Sequence, residues 1–221
     1  MAQRHDLFTL TPAAIDRVVQ CFYLQYKDTD PHLVDICIEG LLNGVIPAIY
    51  RRGCRQEHQS GYPVGFSFPL RDQGRRFKLA TTLTADEIKH TVTPYQVAVG
   101  AIHYPDSKAM KTFSSIRKGW CFPNAQLGLW GSCAMEMFSG MQYVDDDSDL
   151  DLIIQNAPLT CWHELYQLIL AHEKSAKIII DAEMCLDNGY GISLKEYMGD
   201  GKTLLGKSLF DVKLLSRNSL S

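Results

Sequence analysis

Apolar positions along this chain follow two rhythms, and the changes between them mark out its elements. After Thr11-Pro12, residues Ile15, Val18, Val19, Phe22 and Tyr23 fall at the spacing of one helix face. Thr as N-cap and Pro in the first turn suit the start of that helix. Asp30-Pro31 repeats the signal, Leu33, Ile36, Cys37 and Leu41 carry a second helix, and Gly44 is placed to end it. The stretch 45–50 then reads as a strand running into Arg51-Arg52, with a polar loop over 53–61. Residues 64–68 and 77–82 form a hairpin around a turn at 69–75, and Thr84-Ala85-Asp86-Glu87 fits a capping box that opens a short helix. Together these predict a small N-terminal α+β module.

The second half alternates more regularly. A helix is expected over 108–118, a strand over 126–130, a turn at Gly131-Ser132 and a helix beginning at 133–138 that Gly140 breaks. An acidic loop, 145–148, leads into a strand over 149–154. Trp162, Leu165, Leu168 and Ile169 mark a helix over 159–171, residues 177–183 form a strand, 192–198 is a short element, and 204–215 is a final strand or pair of strands. The order strand, helix, strand, helix, strand over about 125–185 predicts a mixed sheet with helices. The expected class is therefore α+β, with one domain over 1–103 and a second over 104–221.

Composition narrows this little. The 221 residues are 46% hydrophobic and 21% charged, ordinary for a globular chain, and the net charge of −3 gives no sign of nucleic acid as a partner. Seven cysteines without a CxxC pair argue against a disulfide framework or a zinc site and for reduced thiols. No apolar run is long enough to span a membrane, and the first residues do not read as a signal peptide, so a cytoplasmic protein is expected.

Chemistry concentrates in one stretch. Gly131-Ser132 forms a strand-to-helix turn whose free N–H groups suit an anion, although Gly-Ser turns are common in loops of every kind. Asp149-Leu150-Asp151-Leu152 puts two carboxylates on one face of a strand and two leucines on the other. Carboxylates that close repel unless a cation sits between them, and a hard divalent ion such as Mg²⁺ is the natural guest. A later strand carries Asp181 and Glu183, again on one face; either is a candidate third ligand, with Asp181 favoured. Three carboxylates suffice for two cations, Mg²⁺ or alternatively Mn²⁺. Asp145-Asp146-Asp147 contains acids expected to be plain solvated loop. Arg51-Arg52 at a strand end, the cluster Arg71, Arg75, Arg76 and Lys78 around a turn, and Lys207 near a late strand are basic groups able to meet a phosphorylated ligand or an acidic protein, or to be ordinary surface. His5 beside Asp6 is either a structural pair or part of a substrate pocket. Cys133, next to Ser132, has no histidine near it in sequence and is not expected to be a nucleophile.

Gly131-Ser132, Asp149-x-Asp151 and a distant strand acid together resemble the DNA polymerase β-type nucleotidyltransferase superfamily. With Arg4-His5-Asp6-Leu7, Tyr50-Arg51-Arg52, Val64-Gly65-Phe66 and Ser148-Asp149-Leu150-Asp151-Leu152, the chain is similar to the malonate decarboxylase holo-acyl-carrier-protein synthases, also called phosphoribosyl-dephospho-CoA transferases. The resemblance covers nearly the full chain, closely at the motifs and loosely elsewhere. It implies a small N-terminal substrate-binding domain and a nucleotidyltransferase domain. It also implies transfer of 2′-(5″-phosphoribosyl)-3′-dephospho-CoA from triphosphoribosyl-dephospho-CoA to a serine of the apo acyl carrier protein of malonate decarboxylase, with release of pyrophosphate. By that likeness Gly131 and Ser132 bind the triphosphate, Asp149, Asp151 and Asp181 bind two Mg²⁺ ions, and Arg51 and Arg52 join the substrate site. The competing readings are a nucleotidyltransferase of the same superfamily with another acceptor, and a binding module that keeps the fold without activity.

Overall fold

The computed structural model describes residues 2–100 and 106–220 and is an α+β fold. The chain divides into two compact units, 1–93 with 138–143, and 94–137 with 144–221. The expected boundary at 103/104 falls outside the described residues.

The first unit is built on a five-stranded antiparallel sheet. Its elements are β1 (Leu7–Leu10), α1 (Pro12–Tyr26), α2 (Pro31–Leu42), β2 (Ala48–Tyr50), α3 (Arg55–Ser60), β3 (Tyr62–Asp72), β4 (Arg75–Leu83) and β5 (Ile88–Val92), with strand order β4-β3-β2-β1-β5. The two Pro-led helices form as their spacing predicts. Val18 and Phe22 of α1 are fully buried, and Phe22 stacks on Phe68 at 4.5 Å between ring centroids. Asp30 caps α2 by accepting from the His32 N–H. The β3–β4 hairpin is longer than predicted: pairing continues to Asp72 opposite Arg75, so the turn shrinks to Gln73-Gly74, both at positive φ. The polar stretch 53–61 is a helix over most of its length rather than a loop. The Glu57 carboxylate accepts from the Cys54 N–H at 2.8 Å and from the Arg51 guanidinium at 2.5 Å, tying both ends of its first turn. The capping box at Thr84 is real, but it closes only a 3₁₀ turn, 85–87, before β5 begins. The expected strand over 45–50 is confined to its last three residues. Segment 138–143 packs into this unit through Tyr143, whose hydroxyl donates to the Ser67 carbonyl and whose own carbonyl accepts from Arg76.

The second unit is a six-stranded mixed sheet with helices. It comprises α4 (Pro94–Gly100), α5 (Lys108–Lys118), β6 (Gln126–Leu129), α6 (Gly131–Ser139, its tail passing into the first unit), β7 (Leu150–Gln155), α7 (Trp162–Ala176), β8 (Ile180–Cys185), β9 (Gly191–Ser193), α8 (Leu194–Met198), β10 (Thr203–Lys207) and β11 (Val212–Ser216). The order is β11-β10-β9-β8-β7-β6. Among the described residues only β7 and β8 run parallel, as a strand–helix–strand crossover through α7 requires. Leu150, Leu152, Ile154, Ile180 and Leu165 are all fully buried around this crossover. At roughly 25 cal/mol per Å² of apolar area, each such side chain contributes about 2 kcal/mol. Among the described residues no helix is long and apolar enough to cross a membrane.

Asp6, which leads into β1, is only 2% exposed and its carboxylate accepts from the Gln3 N–H at 2.8 Å. Burial outweighs that hydrogen bond and raises its carboxyl to about 6. A raised carboxyl stabilises the fold fully below its ordinary pKa, and that contribution is lost as pH rises through the folded value. Asp6→Asn keeps an acceptor oxygen without the charge. Its melting temperature relative to the parent should therefore climb between pH of about 4 and about 7. A difference that stays constant across that range in thermal melts would refute the buried, proton-holding carboxyl.

Candidate active site

The site is organised by the register of the two parallel strands. Asp151 on β7 lies directly opposite Asp181 on β8, with Leu150 opposite Ile180 and Leu152 opposite Ala182. Neighbouring strands run about 4.8 Å apart, so these two carboxylates are adjacent by construction. Asp149 immediately precedes β7, is exposed, and lies two residues from Asp151. Asp151 and Asp181 are half-buried, whereas the flanking Leu150 and Leu152 are sealed in the core. The alternation expected over 149–152 is present and gives way to three successive buried residues, Leu152, Ile153 and Ile154; the strand runs over Leu150–Gln155, one residue later than expected.

The start of β8 is clamped. Lys177 adopts the left-handed conformation that ends α7. One Glu173 oxygen accepts both the Ile180 N–H at 2.9 Å and the Lys195 ammonium at 2.5 Å, and the Leu150 N–H donates to the Ile179 carbonyl. These bonds fix where β8 begins and hence which of its residues faces Asp151.

The turn at Gly131-Ser132 is pressed against the same carboxylate. Trp130 donates its backbone N–H to the Asp151 carbonyl, and Gly131 follows at φ +67° as the first residue of α6. A Cβ on Gly131 would sit 1.9 Å from Asp151 Oδ2, so this position excludes every other residue on two counts. The N-terminal N–H groups of α6 and the half-exposed Ser132 therefore stand beside the acids.

Charge at the site is unbalanced. The Asp151 carboxyl is pushed up to about 7, first by burial and then by the negative charges of Asp149, Asp181 and Glu183. Three other carboxylates thus bear on the Asp151 carboxyl. Among the described residues no three His, Cys, Asp or Glu side chains converge closely enough to hold a metal ion as they stand. The donor set itself, oxygen atoms carrying excess negative charge on aligned backbones, is the type that hard divalent cations take. Glu183 lies one step deeper than Asp181: it is 7% exposed and faces Ile153 on one side and Ser193 on the other.

The acidic loop divides into two roles. Asp145 accepts from the Ser148 hydroxyl at 2.7 Å while its N–H donates back to that oxygen, closing a tight turn, and Asp146 and Asp147 are exposed. Buried Glu136 accepts from the Val144 N–H at 2.7 Å and anchors the loop's start. Sequence reading missed Glu136 and Glu173, because a lone Glu inside a helix carries no mark of its distant partner. Cys133 is fully buried and its thiol is raised to about 12, mainly by burial, which leaves it unsuited to nucleophilic chemistry.

The remaining candidate residues are placed elsewhere. Lys207 closes β10 opposite Gly191, which in turn faces Cys185 at the far end of β8. That is four residues, or roughly 13 Å of strand, beyond the level of Asp181, so the structure does not bring Lys207 to the acids. In the first unit, Arg51 donates to the Val64 and Arg52 carbonyls and pairs with Glu57, so its fork is engaged in holding α3. Arg52 is exposed. His5 sits at φ +77° with its N–H donating to the Tyr50 carbonyl, beside buried Asp6.

Both halves of the chain match known proteins. Residues 96–218 match the phosphoribosyl-dephospho-CoA transferase MdcG C-terminal domain, and residues 3–94 match the MdcG N-terminal domain. The chain belongs to the phosphoribosyl-dephospho-CoA transferase family. Family members are transferases, and so is this chain. A phosphoribosyl-dephospho-CoA transferase from Pseudomonas syringae pv. tomato is 28% identical over 151 residues, covering 66% of this chain and 69% of the relative. Proteins of the same name from Bradyrhizobium diazoefficiens and Xanthomonas axonopodis pv. citri are 31% and 32% identical, over 41% and 42% of this chain and 40% and 43% of their own lengths. No solved structure matches the chain.

Gly131 can be tested against an internal control. Gly140 has nearly the same φ, +70°, but open space where its Cβ would go. Gly140→Ala should cost about 1–2 kcal/mol of left-handed strain alone, and Gly131→Ala at least about 1 kcal/mol more because Asp151 must move. Urea unfolding measures both; equal losses would show that Gly131 does not rest on Asp151.

Proposed function

We propose that this chain transfers the 2′-(5″-phosphoribosyl)-3′-dephospho-CoA group from triphosphoribosyl-dephospho-CoA onto a serine of an apo acyl carrier protein, that of malonate decarboxylase, in the manner of a DNA polymerase β-type nucleotidyltransferase. The observation that carries this reading is the register that sets Asp151 against Asp181, with Asp149 and the Gly131-Ser132 turn alongside.

In this reading Asp149, Asp151 and Asp181 would hold two divalent cations, Mg²⁺ or Mn²⁺. When bound, such ions neutralise phosphate oxygens and lower the pKa of an attacking hydroxyl. Asp181 is preferred to Glu183 as the third ligand because it faces Asp151 directly and is half-exposed, whereas Glu183 is buried. The N-terminal N–H groups of α6 and the Ser132 hydroxyl hold the triphosphate in place. A carboxylate of the cluster accepts the proton of the carrier serine. The serine oxygen forms a bond to the α-phosphorus, the bond from that phosphorus to the bridging oxygen breaks, and pyrophosphate departs with the electron pair. The aligned strands supply most of their effect by fixing the acids before the substrate arrives.

The test combines purified protein, Mg²⁺, triphosphoribosyl-dephospho-CoA and the apo carrier protein, with the carrier read by mass spectrometry. The parent should add the prosthetic group to one serine and release pyrophosphate. Asp149→Asn, Asp151→Asn and Asp181→Asn should each lower turnover by about 10³-fold or more with unchanged circular dichroism, and Glu183→Gln by less than about tenfold. An unmodified carrier would sink the assignment. Loss of turnover in Glu183→Gln with activity kept in Asp181→Asn would exchange the roles of those two residues.

A further inference from the structure

Outside the carboxylate cluster, the second unit contains a cavity of about 480 Å³ between the first turns of α5 and the last turns of α7. That volume is in the range of small-molecule sites. Lys108, Lys111 and His172 line it, faced by Asp106 and Asp146, with Ser115 on the rim. Lys108 and Lys111 are exposed. Lys108 uses one N–H on the Lys177 carbonyl, which leaves two more donors on the same ammonium. Lys111 pairs with Asp106, but both side chains are largely exposed and such a pair holds weakly. From Ser107 to Met135 the sequence has four basic residues and no acidic one, in a chain whose overall charge is negative.

The cavity's place in the fold gives it a bearing on the acids. Helix α7 ends at Ala176, immediately before β8 begins, and Asp146 lies three residues before Asp149. Cavity and carboxylates therefore share the end of the sheet at which β7 and β8 start. The donor named in the proposed function carries two separate phosphate groups. One is the triphosphate that reacts, and the other is the diphosphate joining adenosine to the pantetheine arm. The second cannot lie among four carboxylates without counter-charge. It needs fixed cations near the acids but apart from them.

We infer that the α5–α7 cavity binds the diphosphate of the dephospho-CoA portion of the donor, with Lys108 and Lys111 as the phosphate-binding groups and His172 as an additional donor. The inference rests on the reading of the donor given above, and it assigns the part of that donor which does not react. Holding the non-reacting diphosphate fixes the reacting end against β7 and β8, so that binding at a distance contributes to orientation.

The test uses 3′-dephospho-CoA alone in isothermal titration calorimetry, without carrier protein, on the parent, on the double variant Lys108→Gln/Lys111→Gln, and on Lys118→Gln. Lys118 is on the same helix but outside the cavity. The parent should bind, the double variant should bind about tenfold more weakly, as expected for lost charge-assisted contacts, and Lys118→Gln should match the parent. Inorganic pyrophosphate is titrated in parallel. If the double variant weakens pyrophosphate but not dephospho-CoA, the cavity serves the released product and the proposal is wrong. Failure of the parent to bind dephospho-CoA, or equal binding by the double variant, also overturns it. The two readings separate cleanly. Lysine-dependent binding without modification of the carrier leaves the cavity standing and removes the proposed reaction, while carrier modification with an unchanged KM for the donor in the double variant does the reverse.

Discussion

Everything at the site depends on one pairing, the parallel register that sets Asp151 beside Asp181. Slipping β8 by one residue would put Ala182 opposite Asp151 and turn the acidic face into the core. The protein guards against this from both sides of the strands. Burial of Leu150, Leu152 and Ile180 makes a slip costly, and the Glu173 carboxylate holds the Ile180 N–H at the first paired residue. Lys195 supports Glu173 in turn. A structural ion pair thereby sets the geometry of acids it never touches.

The second constraint is the contact of Gly131 with Asp151. A strand-to-helix turn is a common anion site, but here the turn and the carboxylate share the same space, and only a residue without Cβ permits it. The consequence is proximity between opposite preferences. The N-terminal N–H groups of α6 favour an anion, while the carboxylates of Asp149, Asp151, Asp181 and Glu183 repel one; burial, and then the charges of the other three, raise the Asp151 carboxyl to about 7. An anionic ligand can satisfy the first only if positive charge satisfies the second. The proposed pairing of a phosphate with divalent cations meets both conditions.

Much of this was legible in the sequence because it rests on local periodicity. The two-residue spacing of Asp149 and Asp151, the Gly-Ser turn and the Thr-Pro and Asp-Pro helix starts each encode their geometry within a few residues. What was not legible depends on partners far away in the chain. Helix α3, Arg-Gln-Glu-His-Gln-Ser, has no apolar residue and so no hydrophobic period; it exists because Glu57 ties Cys54 and Arg51 together. Strand β5 has apolar residues only at its ends and is a strand because β1 pairs with it. Sequence favoured Asp181 over Glu183, but an i, i+2 pattern places both on one face and gives no reason for the choice. The register of the neighbouring strand sets Asp181 opposite Asp151, and Glu183 lies deeper.

Charge shows how binding work is divided. Arg51 looked from sequence like a ligand for phosphate, but its guanidinium is held by Glu57 and the Val64 carbonyl, and releasing it would unpin α3. Lys207 is displaced along β10 from the level of the acids by the geometry of antiparallel pairing. At the carboxylate end of the second unit, Lys108 and Lys111 of α5 line the cavity, and no acid occurs between Ser107 and Met135. In the proposed reading, acids that hold metal ions cannot also hold a bare diphosphate. The proposed donor, with two phosphate groups, calls for lysines close to the carboxylates of β7 and β8 but not among them. The crossover β7–α7–β8 provides that arrangement: its strands begin with the acids, its helix ends beside Lys108, and the Lys177 turn joins the two through the hydrogen bond from Lys108 to the Lys177 carbonyl.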